Sequence, residues 1–247
     1  MSVVDEARAA VGLLTIAPVG RRELAEGSEH GAALWFPLVG GLVGGAAAGA
    51  YGLGEALLGG MYGAAFALTV SAILTGGLHH DGLADSADGL GVRGDLPRRL
   101  AVMRDSGIGA FGTLALIAFA LLATAALARL SPPEAAGALI AGHALGRWAA
   151  LAQLTFVAPA RADGLGASFC ADRLALVIGS VLATVIALVA SGIGAGLSAV
   201  AGAVIAAAAI ALLARRCIGG RTGDTLGAAV LVTELTVYSV LAAYLVT

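Results

Sequence analysis

The first chemical signal is three aspartates in one short stretch. The segment GGLHHDGLADSADGLG, residues 76–91, sets Asp81, Asp85 and Asp88 at spacings of four and three. On a helix these spacings put three carboxylates on one face. Like charges so placed repel one another, and a divalent cation is the simplest group to offset them. Carboxylates that leave room for water and substrate phosphates suit Mg2+. Gly82, Gly89 and Gly91 would let a phosphate come close to the backbone. His79 and His80 flank the motif as metal ligands, bases or interfacial groups, and His79 is kept as a candidate substrate-binding residue. Most acidic runs are solvated faces. This one abuts an apolar stretch in a chain poor in charge, and acids at membrane depth are functional by default.

Two further clusters have the same character. MRDSGIGAFG, residues 103–112, places Arg104, Asp105 and Ser106 before Gly107, Gly109 and Gly112. A Gly-rich helix start presents free N–H groups and a positive dipole end, which is a ready anion site. Arg104 would add a bidentate contact to phosphate. RRCIGGRTGDTLGAA, residues 215–229, puts Asp224 in a Gly-rich turn beside Arg221 and Thr222, which with Ser106 and Glu234 are candidate substrate- or phosphate-binding residues. The GK[ST] ending of a nucleotide-binding P-loop is absent there. Glu234 falls farther along the same apolar stretch and needs a partner, as a metal ligand, a proton acceptor or a helix–helix hydrogen-bonding group. His143 and Arg147, four apart, share a helix face. His143 reads as an interhelical polar contact, and Arg147 as a residue that reaches an anionic substrate if it lies near the inner mouth. Acids for a cation, with Arg and helix N-termini for phosphates, form the set that metal-assisted phosphoryl transfer needs.

The elements that must hold these groups are read from composition. Of 247 residues, 59% are hydrophobic and 12% charged, half the charge of an ordinary soluble domain. Long unbroken apolar runs exclude disorder and argue against a β-barrel, whose strands alternate. The expected fold is all-α, a polytopic membrane helical bundle in one domain over 1–247. A span takes roughly 20 apolar residues. Seven are expected, at about 34–54, 59–78, 108–129, 135–157, 174–194, 197–214 and 226–246. Arginines set the orientation. Arg8, Arg21 and Arg22, then Arg93, Arg98, Arg99 and Arg104, then Arg161 and Arg173, then Arg215, Arg216 and Arg221 all fall on one side, and Arg129 alone falls on the other. That side is the cytoplasm, which puts the N-terminus inside and the C-terminus outside. The N-terminus lacks the basic start of a cleaved signal peptide. A net charge of −2 gives no case for nucleic-acid binding. Cys170 and Cys217 are too few for a disulfide scaffold.

Five segments, in order, resemble the cobalamin synthase family, the adenosylcobinamide-GDP ribazoletransferases. They are WFPLVGGLVGG at 35–45, LHHDGLADSADGL, RRLAVMRDSGIGAFG, ARADGLGASF at 160–169 and GGRTGDTLGA. The resemblance implies the last step of coenzyme B12 assembly. Adenosylcobinamide-GDP and α-ribazole, or its 5′-phosphate, would be joined with release of GMP, with Mg2+ as cofactor. It implies that Asp81, Asp85 and Asp88 hold Mg2+, one of them acting instead as base, and that Asp105 and Asp224 belong to the metal or phosphate site. Arg104 stands where a Lys is expected and Leu231 where a Glu is expected, while Glu234 matches a second acid. The setting it implies is the inner membrane of a prokaryote with the site facing the cytoplasm; a homo-oligomer is left open.

Other classes share parts of this pattern. A CDP-alcohol phosphotransferase or a membrane prenyltransferase also places aspartates on membrane helices with Mg2+, but DGLADSADG lacks the AR of the phosphatidyl-transfer motif. A secondary transporter would place its site near the midplane, often with repeat symmetry. Here the acids gather at one face, and no repeat is visible.

Overall fold

The computed structural model describes residues 3–19, 31–164, 167 and 169–246. Among these lie ten α-helices. They are α1 (Val3–Leu14), α2 (Phe36–Leu58), α3 (Gly60–Leu74), α4 (Leu78–Gly91), α5 (Leu96–Val102), α6 (Ala110–Leu127), α7 (Pro132–Phe156), α8 (Arg173–Ser191), α9 (Ile193–Ile218) and α10 (Gly223–Leu245). Arg21 and Arg22, used above for orientation, lie outside the described residues, as do Leu165, Gly166 and Ser168 of the fourth family-like segment.

Each expected span falls on a helix. Among the described residues, five stretches are long and apolar enough to cross a membrane: Ala33–Leu58, Ala110–Leu127, Arg173–Ser191, Ile193–Ile218 and Gly223–Leu245. The chain is therefore a multi-pass membrane protein. Its lipid-facing surface carries exposed side chains such as Leu42, Leu121, Val189 and Ile205. The remaining two expected spans differ for physical reasons. Helix α7 has 25 residues but contains Glu134, His143, Arg147 and Gln153. It packs against α2, α8, α9 and α10, so its neighbours, not its own side chains, meet the lipid. Helix α3 has only 15 residues and qualifies only together with α4, which is turned 94° from it. Gly76 and Gly77, with φ of 60° and 72°, make that turn, a conformation that few side-chain-bearing residues adopt. We read α4, with its three carboxylates, as lying along the membrane face rather than through it.

The helix ends follow local chemistry. Ser131 and Glu134 form a reciprocal cap before α7, with Pro132 in its first turn. Asp172 caps α8 and Thr222 caps α10 through the Ala175 and Thr225 N–H groups. Inside, small residues let backbones approach. A Cβ on Gly44 would stand 2.7 Å from the Leu139 carbonyl oxygen of α7, and one on Gly142 would stand 2.3 Å from the Tyr238 ring of α10.

At the centre, α7 and α10 are joined by charge. Arg147 donates to Glu234, and His143 Nδ1 lies 2.7 Å from the same carboxylate oxygen. All three are about 1% exposed. His143 is the interhelical contact its sequence predicts. Arg147 is not at an open mouth; Glu234 takes it. In a membrane interior an ionised group persists only when so paired. Removing one partner strands the other. Glu234→Ala is expected to cost about 3–5 kcal/mol, read as a lower thermal midpoint in detergent, whereas the double variant Arg147→Met/Glu234→Met should recover most of that loss. A double variant no more stable than Glu234→Ala would show that the pair is not what holds α7 to α10.

Candidate active site

The three aspartates of α4 do lie on one helix, but burial separates their roles. Asp81 is exposed, Asp85 half-buried and Asp88 buried. Helix α4 rests on the first turns of α10. A Cβ on Gly82 would stand 2.8 Å from the Asp224 carbonyl oxygen and 3.0 Å from Gly227 Cα. Asp224 is thereby set beside Asp81 and Asp85, joining segments more than a hundred residues apart in sequence. Burial, with Asp81, Asp224 and Asp88 around it, pushes the Asp85 carboxyl up to about 6.

Asp88 occupies the anion site that the sequence places at the start of α6. Its carboxylate accepts from the Gly109 N–H at 2.7 Å and from the Gly112 N–H at 2.9 Å. Cβ atoms on Gly109 and Gly112 would both stand 2.4 Å from its oxygens. The expected phosphate cradle is filled by the chain's own carboxylate, which meets the free N–H groups and positive dipole end that phosphate would have met. The glycines of the aspartate motif are also used internally. Gly82 accommodates α10, Gly89 accommodates Met103 and Gly91 accommodates Phe111. None of the three is left open for a phosphate.

The other candidates divide. Asp224 sits in the first turn of α10, not in the turn before it, because Thr222 caps the helix there. It accepts from Arg161 at 2.9 Å and from the Thr222 hydroxyl at 3.1 Å. Arg221 is buried and holds the 157–169 loop, donating to the Val157 carbonyl and, at 2.8 Å, to that of Phe169. Its backbone pairs with Ala158 and Ala160. It is a loop anchor rather than an open phosphate contact. Arg104 is exposed and binds Asp163 through both oxygens, at 2.7 and 2.8 Å. Asp105 is exposed and accepts from the Gly107 N–H at 3.1 Å. Ser106 lines the cleft described next. His79 is buried on the far side of α4. Arg161 and Asp163 were absent from the candidates. Both lie in ARADGLGASF, where an acid–base pair in a chain this poor in charge was the available signal.

A cleft of about 590 Å3 opens over α4, with Thr75, His80, Asp81, Asp85, Ser106 and Ile108 among its lining residues. Among the described residues no three His, Cys, Asp or Glu side chains form a ready metal cage. Mg2+ does not need one. It keeps several waters and takes one or two carboxylates together with substrate phosphates. Asp85, surrounded by three other carboxylates, and the exposed Asp81 provide that kind of open donor set.

The cobalamin-5-phosphate synthase family model matches residues 6–242. The chain belongs to this family. An adenosylcobinamide-GDP ribazoletransferase of Bradyrhizobium diazoefficiens is 38% identical, over 98% of this chain and 95% of its own. That of Azorhizobium caulinodans is 43% identical over 78% and 76%, and that of Shewanella amazonensis 38% over 85% and 84%. No solved structure matches the chain. This member of the family is thus a transferase, and its acids gather where four of the five family-like segments meet, those from α4 onward.

The capping role of Asp88 separates it from its neighbours. Asp88→Ala is expected to cost about 0.5–2 kcal/mol of stability, and Gly109→Ala, which puts a methyl group on the carboxylate, should lower the thermal midpoint as well. Asp81→Asn, at an exposed position, should leave the midpoint unchanged. An Asp88→Ala midpoint equal to that of the parent protein would remove the cap assignment.

Proposed function

We propose that this chain joins adenosylcobinamide-GDP to α-ribazole or its 5′-phosphate, releasing GMP and forming adenosylcobalamin or its 5′-phosphate. The observation that carries the reading is the meeting of Asp81 and Asp85 at one acidic cleft with Asp224 beside them, in a member of a family whose relatives bear that activity in their names. The 3′-hydroxyl of the ribazole ribose attacks the cobinamide-bound phosphorus. The new P–O bond forms as the bond to the bridging oxygen breaks, and GMP leaves with that electron pair. The hydroxyl proton passes to a carboxylate. Asp85 suits this role, because a pKa near 6 lets it take a proton at neutral pH and still return it. Mg2+ would be held by Asp81 with Asp224 adjacent, which leaves Asp85 as the base, and it would neutralise the diphosphate and the leaving phosphate. Arg161 holds Asp224 in place. Asp88 contributes by fixing the start of α6, which brings Ser106 to the cleft.

The proposed topology has seven spans, with the N-terminus and the site on the cytoplasmic face of a prokaryotic inner membrane. Its support is the clustering of arginine-bearing segments at one end. Arg215 donates to the Phe156 carbonyl, Arg104 pairs with Asp163, and Arg161 pairs with Asp224. Arginine-rich loops stay inside.

Purified protein in detergent, given both substrates and Mg2+, is expected to release GMP. EDTA should abolish the release and added Mg2+ restore it. Asp85→Ala should lower turnover by at least about 100-fold while still inserting in the membrane. Full activity in EDTA would rule out the metal, and full activity of Asp85→Ala would rule out the base. In a background without Cys170 and Cys217, a cysteine replacing Arg93 should react with an impermeant maleimide only after the cells are opened. Labelling of intact cells would reverse the topology.

A further inference from the structure

A second cavity, of about 60 Å3, lies across Leu78 from the acidic cleft, and Leu13 and Leu78 line both. Its wall is apolar and includes Phe36, Leu154, Phe169, Leu226 and Val230. One polar side chain interrupts it. His79 is 4% exposed, and its Nε2 has no hydrogen-bond partner. Leaving a buried imidazole nitrogen unpaired costs free energy unless something else supplies the partner. The slot also runs to Gly223, the residue before Asp224, and shares Leu13 and Leu78 with the cleft that Asp81 and Asp85 line.

A flat, mainly apolar ring with one hydrogen-bonding edge complements such a slot. Resting on the function proposed above, the acceptor has that chemistry: a ribose joined to a benzimidazole, whose second ring nitrogen is a free acceptor. Its sugar must stand at the aspartates, which leaves the base to occupy an adjoining site. We infer that the slot between α1, α4, α7 and α10 seats the aromatic base of the acceptor, with His79 Nε2–H donating to its free ring nitrogen. The open volume holds only part of a bicyclic ring, so full seating pushes Leu13 and Leu14 of α1 outward. Helix α1 is suited to that movement. It lies at the edge of the bundle, followed by a tether in which the Ile16 N–H donates to the Leu74 carbonyl at 2.9 Å.

The test measures binding and kinetics separately. Fluorescence of α-ribazole titrated with purified full-length protein, without the second substrate, should report saturable binding, weakened by at least about tenfold in Leu226→Trp. In turnover the same variant should raise the KM for α-ribazole by a similar factor and leave that for adenosylcobinamide-GDP unchanged. If Leu226→Trp does not fold, Leu154→Phe is the second variant. The wild type should favour the benzimidazole riboside over the indole riboside, which lacks the free ring nitrogen, and His79→Leu should erase that preference. An unchanged α-ribazole KM in a folded slot variant, a preference that survives His79→Leu, or a lipid that occupies the slot while α-ribazole still binds would each overturn the inference. α-Ribazole binding without GMP release would sink the proposed reaction and leave the slot standing. GMP release with slot variants that behave as wild type would do the reverse.

Discussion

The arrangement depends on one close approach. Helix α4 lies backbone against backbone on the start of α10, and Gly82 and Gly227 make room for it. A methyl group at Gly82 would meet the Asp224 carbonyl and part the two helices. Parting them would also separate Asp81 and Asp85, carried on α4, from Asp224, carried on α10. The glycines of the aspartate motif therefore serve helix packing, and the chemistry of the motif follows from the packing.

Bringing several acids to one place in a membrane protein requires each to be compensated differently. Asp88 is met by the free N–H groups of α6 and by the dipole of that helix. Asp224 is met by Arg161 and Thr222. Glu234, deeper in the bundle, is met by Arg147 and His143. Asp81 and Asp85 face the cleft, and among the carboxylates described these two are the ones turned toward it. Burial, and after it repulsion from Asp81, Asp224 and Asp88, raises the Asp85 pKa, the kind of perturbation that marks functional carboxylates. The internal compensation of three acids is what makes the other two available.

Much of this was legible in the residues. Apolar length and arginine bias marked helices at all seven expected positions, because lipid leaves the backbone no alternative to forming its own hydrogen bonds. The expected boundary between the spans at 174–194 and 197–214 matches the Gly192 break between α8 and α9. The spacing of Asp81, Asp85 and Asp88 foretold a shared helix face, and the polarity of Glu234 foretold a partner. Other readings did not survive. The anion-binding start of α6 is real, but the anion is Asp88, twenty-one residues upstream of Gly109. Arg221 and Arg147, read as phosphate contacts, instead hold a loop and a helix pair. No spacing rule reports which of several anions an arginine will reach.

What the sequence by itself determined is the class of the protein: a helical membrane transferase with carboxylates gathered toward one face, since hydropathy, charge placement and motif order are properties of the chain alone. What only the tertiary structure decided is the division of labour among like residues. Four segments dispersed along the chain converge at one end of the bundle, and burial there ranks chemically identical carboxylates into a helix cap, a salt-bridged neighbour and two groups open to a cation. That ranking depends on distances of a few ångströms between helices, which a sequence does not contain.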